Sequence, residues 1–65
     1  MNTYDIRLNA VTDRYNENGD TLLYDRELYS LMVDLTKAIN REAGEETYKV
    51  LASLRERVEN IKESL

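Results

Sequence analysis

Apolar residues recur at helical spacing in three segments of the chain. From about residue 2 to residue 15, the apolar stripe consists of Tyr4, Leu8, Val11 and Tyr15. Their spacing of four, three and four residues defines one face of a helix. Residues 4–8 also alternate between apolar and polar, so a short strand is an alternative there. From about Asp25 to Ala43, a broader stripe consists of Leu28, Leu31, Met32, Leu35, Ala38 and Ile39. From residue 45 to residue 65, a third stripe consists of Leu51, Leu54, Val58, Ile61 and Leu65.

Two glycines and the absence of proline divide these segments. Asn2 and Asp25 are the predicted N-caps of the first and second helices, and Arg41 falls in the last turn of the second. Gly44 is predicted to follow the end of that helix at a positive φ. The second and third stripes are out of phase, so a turn at Gly44 is favoured over one long helix. The sequence therefore predicts an all-α protein of three helices in a single domain, residues 1–65.

Composition narrows the function classes. The 65 residues include no cysteine and no histidine, so disulfides, thiolate metal sites and histidine catalysis are excluded. No nucleophile, phosphate-binding loop or cofactor motif stands out, and we do not expect an enzyme. The net charge of −4 argues against nucleic-acid binding, and the interleaved signs argue against an acidic DNA mimic. Apolar runs are too short to cross a membrane, and residues 1–5 show no signal peptide, so a cytoplasmic location is expected.

Oxygen-bearing side chains are regularly spaced in the segment between the first two helices, residues 16–27. Asn16, Asn18, Asp20 and Glu27 take the first, third, fifth and twelfth places. Alternate spacing in a tight loop points such groups at one centre, and Ca²⁺ requires six to eight oxygen ligands. The carbonyl of Leu22 would add one ligand, and Tyr24 stands where a water often mediates contact. A plain turn made of ordinary turn residues is the alternative.

This segment resembles the loop of the EF-hand family. The resemblance covers roughly residues 4 to 39 and implies a helix–loop–helix over residues 2–43, followed by a third amphipathic helix over residues 45–65. It implies Ca²⁺ held by Asn16, Asn18, Asp20, Leu22, Tyr24 and Glu27. Asn16 replaces the usual aspartate, and Thr21 replaces a glycine that turns at positive φ, so strain is expected at Thr21. With only two carboxylates, the site would be weak.

These observations predict a small acidic regulatory or interaction module that binds Ca²⁺ weakly and acts by contact with another protein. The alternative is a metal-free helical interaction protein, an inhibitor or adaptor, stabilised by packing or by homodimerisation. EF-hands usually occur in pairs, so we expect a two-fold homodimer whose loops pair as short strands at Leu23. The third helix is expected to pack antiparallel on the second, or else on its own copy in a coiled coil.

Overall fold

The computed structural model describes residues 3–41 and 44–65, which form three α-helices. They are α1 (Thr3–Asn18), α2 (Thr21–Arg41) and α3 (Glu45–Ser64). The predicted all-α class is confirmed, and the strand alternative for residues 4–8 is wrong because these residues lie within α1. The predicted cap Asn2 and the predicted helix end at Ala43 lie outside the described residues.

The hydrophobic core is built around α2. Of its ten buried side chains, half belong to this helix: Tyr24, Leu28, Leu31, Leu35 and Ile39. The others are Leu8 and Val11 from α1, and Leu51, Leu54 and Val58 from α3. The three predicted apolar stripes therefore face one another, and none of the described residues contributes a buried polar side chain. Burying a large apolar side chain stabilises the folded state by roughly 1.5–3 kcal/mol, and this hydrophobic term holds the helices together.

Ion pairs between helices show the directions in which they run. Arg14 pairs with Glu27 at 2.7 Å and Arg7 with Asp34 at 2.8 Å, so α1 and α2 are antiparallel. Near the other end of the chain, Lys62 Nζ lies 2.7 Å from a carboxylate oxygen of Asp25. Because Asp25 begins the second turn of α2 and Lys62 lies in the last turn of α3, these helices are antiparallel too. The predicted docking of the third helix on the second is confirmed, whereas α1 and α3 touch each other much less.

Two of the predicted helix ends differ from the structure. Asp25 is not an N-cap, because α2 begins four residues earlier at Thr21. Gly44 does not follow a helix at positive φ: its φ of −88° and ψ of 128° are extended, and it is the N-cap residue of α3. Arg41 lies in the last turn of α2 as expected, where a positive charge complements the helix dipole.

The contact between α2 and α3 can be tested by a double-mutant cycle. Leu35 and Leu54 are 0% and 4% exposed in the same core. We expect Leu35→Ala and Leu54→Ala each to lower the free energy of unfolding by about 2–4 kcal/mol in chemical denaturation, because each leaves a cavity. Their combined effect should depart from the sum by about 0.5 kcal/mol or more. Leu22→Ala is the control, since this side chain is 64% exposed and should change stability little.

Candidate functional site

The connection between α1 and α2 consists of two residues, Gly19 and Asp20. Gly19 has a φ of 64°, and its N–H donates to the carbonyl oxygen of Tyr15 at 2.7 Å, which closes the last turn of α1. Asp20 Oδ1 accepts a hydrogen bond of 3.1 Å from the N–H of Leu23, which is the N-cap interaction that starts α2. The predicted loop over residues 16–27 is therefore wrong in its extent: its ends are the last turn of α1 and the first two turns of α2.

The strain expected at Thr21 is also absent from this turn. Thr21 is the first residue of α2, and among the described residues no side-chain-bearing residue has a positive φ. Gly19 takes the left-handed conformation instead, two residues before the place where an EF-hand loop turns. The chain reverses at the residue best able to do so, because glycine has no Cβ to clash.

Four of the six predicted calcium ligands make other contacts within the protein. Asn18 Oδ1 accepts a hydrogen bond of 2.8 Å from the N–H of Asp20, whose own carboxylate caps α2. Glu27 Oε2 accepts one of 2.7 Å from Arg14. Asn16 is exposed in α1, and Leu22 is exposed in the first turn of α2. Among the described residues no three aspartate, glutamate, histidine or cysteine side chains are grouped as metal ligands would be.

Tyr24 has a structural role that the sequence analysis missed. It is only 6% exposed, and its ring stacks on that of Tyr15 with centroids 4.3 Å apart and planes at 11°. Its hydroxyl lies 3.3 Å from the hydroxyl of Thr12. The signal was present in the chain: Tyr24, Leu28, Leu31 and Leu35 follow the same intervals of four, three and four as the stripe of α1.

An ion at this turn would compete with contacts that the turn already makes. One oxygen each of Asn18, Asp20 and Glu27 accepts a protein hydrogen bond, and Tyr24 packs inward. These contacts occupy part of the predicted ligand set, and calcium binding stays a prediction. The dimer route through Leu23 is wrong, because residues 22–24 are helical and offer no strand edge.

A second candidate site is a surface shared by α2 and α3. Around one shallow depression on α2 lie Tyr29, Met32, Val33, Thr36 and Lys37. An adjoining depression is lined by Met32 of α2 and by Glu59, Lys62 and Glu63 of α3. The two depressions share Met32 and so form one continuous surface, which we call the outer α2–α3 face. Tyr29 is 57% exposed there, and Lys62 Nζ lies 5.6 Å from the centre of its ring.

Two other depressions on the surface have mixed linings in which oppositely charged side chains pair with each other. The one between α1 and α3 has Asp5 and Arg57 on its rim, 3.5 Å apart, and Val50 as its exposed apolar residue. The one between α1 and α2 is bordered by Arg14 and Glu27, which pair with each other. The outer α2–α3 face is distinguished from both by its row of apolar side chains along a single helix.

Comparison of the chain with protein-family models, with curated proteins and with solved structures found no match. None of the helices within residues 3–41 and 44–65 is long and apolar enough to span a membrane. A function therefore has to be inferred from the turn and from the outer α2–α3 face.

The turn gives a test that separates backbone strain from side-chain crowding. A Cβ added at Gly19 would meet no atom within 4 Å, so only its φ of 64° opposes a substitution. We expect Gly19→Ala to lower the free energy of unfolding by about 1–2 kcal/mol. Gly19→Asn should cost less, because asparagine tolerates the left-handed region better than alanine. If chemical denaturation shows that both substitutions lower the free energy of unfolding equally, the positive φ is not what opposes them.

Proposed function

We propose that the chain is a small acidic interaction module that acts by contact with another protein through the outer α2–α3 face. The observation that carries this proposal is the apolar row left on α2 after its core stripe is buried. Tyr29 remains 57% exposed, and Met32 and Val33 beside it are only partly covered. Aromatic residues and methionine are enriched where proteins bind one another, and lone exposed apolar residues are not unusual, so the grouping is what matters.

The composition of this face suits reversible contact. Its apolar centre is bordered by charged side chains of both signs, Lys37 on one side and Glu59 and Glu63 on the other. A charged rim around an apolar centre keeps a free module soluble and orients its partner. The proposal includes a cytoplasmic location, since a chain without cysteine has no disulfide that an oxidising compartment would form.

Regulation by calcium is the second part of the sequence prediction. In favour of it stand the oxygen groups Asn18, Asp20 and Glu27 near one turn. Against it stand their existing hydrogen bonds, so binding would require the turn to rearrange. The metal-free alternative, an inhibitor or adaptor held together by packing alone, needs no such rearrangement, and the extensive core of α2 favours it.

Calorimetric titration with Ca²⁺ tests which alternative holds. If the turn binds the ion, millimolar Ca²⁺ should release or absorb heat and raise the melting temperature, and Glu27→Gln should abolish both effects by removing a ligand charge. Because Glu27 also pairs with Arg14, the control is Arg14→Gln, which breaks the same ion pair and keeps the carboxylate. If millimolar Ca²⁺ neither produces heat nor shifts the melting temperature, the calcium alternative fails and the metal-free module remains.

Site-specific photo-crosslinking tests the interaction itself. A benzophenone amino acid in place of Tyr29 preserves an aromatic side chain at the centre of the outer α2–α3 face. In cells that produce the chain, we expect one or a few discrete cross-linked products from position 29. The same group at position 6 is the matched control, because Ile6 is 51% exposed on α1. Equal labelling from both positions, or none from position 29, would contradict the proposed surface.

A further inference from the structure

The outer α2–α3 face has opposite charges at its two ends. Lys37 borders the depression toward the C-terminal end of α2, and Glu63 borders the adjoining depression near the end of α3. Neither side chain has an ion-pair partner among the described residues. Met32 lies between them, at the point where the two depressions join.

The charges next to Glu63 are already compensated within the chain. Lys62 pairs with Asp25 at 2.7 Å, and Glu59 lies 3.8 Å from Arg55. Glu63 is therefore the uncompensated charge of its depression, as Lys37 is of the other. The face consists of an apolar centre with one unpaired acid at one end and one unpaired base at the opposite end.

We propose that the protein bound at this face is a second copy of the same chain, related by a two-fold axis near Met32. This inference rests on the proposed function and names its partner. In a two-fold pair the same patch faces itself with its ends exchanged. Lys37 then faces Glu63 of the partner subunit, and the reciprocal contact forms at the other end.

The geometry of the helices supports this exchange of ends. Lys62 is level with Asp25, so Glu63 lies beside the beginning of α2, about twelve residues before Lys37. At 1.5 Å per residue the two charges are roughly 18 Å apart along the helix axis. A two-fold axis perpendicular to α2 and midway between them crosses the helix near residues 30 and 31, next to Tyr29 and Met32.

The pair should be weak and reversible. A face two helices wide, each about 10 Å across, and about 18 Å long offers roughly 360 Å² per copy, which is well below the standard of about 800 Å². A net charge of −4 on each copy adds repulsion, although physiological salt screens it beyond about 8 Å. We therefore expect dimers to form at tens to hundreds of micromolar, a range typical of transient contacts.

Charge reversal with mixing is the decisive experiment. By sedimentation equilibrium, the wild-type chain should dimerise, and Lys37→Glu and Glu63→Lys should each raise the dissociation constant by about tenfold or more, since both end contacts become repulsive. An equimolar mixture of the two variants should recover the wild-type affinity, because each mixed pair carries two attractive contacts. Such rescue is specific to a two-fold pair of this chain.

Two controls separate the proposed face from general effects of charge and hydrophobicity. Lys49→Glu changes the net charge as Lys37→Glu does, but at the depression between α1 and α3, and should leave the dimer unchanged. Val33→Asp should prevent association, whereas Ile6→Asp, which removes an apolar side chain exposed on α1, should not. Circular dichroism of each variant checks that the three helices are retained.

The outcomes distinguish this inference from the proposed function. A wild-type chain that stays monomeric up to about 1 mM, or variants that fail to rescue each other on mixing, would overturn the second-copy inference. If position 29 nevertheless cross-links to a different protein, the interaction function stands with another partner. If position 29 gives no product and the chain is monomeric, both are overturned.

Discussion

The structure depends on one apolar stripe on α2, against which both other helices pack. The side chains of Tyr24, Leu28, Leu31, Leu35 and Ile39 along α2 form the wall on which both α1 and α3 pack. Neither outer helix could bury its own stripe without this wall, because the two outer helices hardly meet. A single helix of 20 residues is marginal in water, so formation of the three helices and their packing are one event.

This arrangement also decides what remains on the surface. One side of α2 is buried, and the ion pairs of Arg7 and Arg14 occupy the flank toward α1. On the flank toward α3, Lys62 pairs with Asp25 and lies over the ring of Tyr29. The apolar side chains around Tyr29 lie beside that ion pair, and none of the three described helices covers them fully. A three-helix chain of this size thus exposes an apolar strip as a direct result of how it makes its core.

Periodicity predicted the helices and their buried faces well, because side-chain spacing and burial have a common cause in helix geometry. It was less successful at the turn between α1 and α2. A calcium-binding loop was predicted there, although the apolar stripe of α2 continues back through Tyr24 and Asp20 can cap a helix. Local hydrogen bonds extend both helices into the supposed loop. The outer α2–α3 face was not predicted, although the antiparallel contact between these two helices was.

The short turn has one more consequence, which concerns alignment of the helices. Arg7 and Arg14 are seven residues apart on α1, and their partners Asp34 and Glu27 are seven apart on α2. Sliding α1 by two helical turns would therefore still set one arginine against one carboxylate, so the ion pairs alone do not fix the alignment. The two-residue span of Gly19 and Asp20, which has no slack, fixes it together with the stacked rings of Tyr15 and Tyr24. A longer turn would remove one of these two constraints and leave the tyrosine stack as the other, so the length of the turn contributes directly to the pairing of α1 with α2.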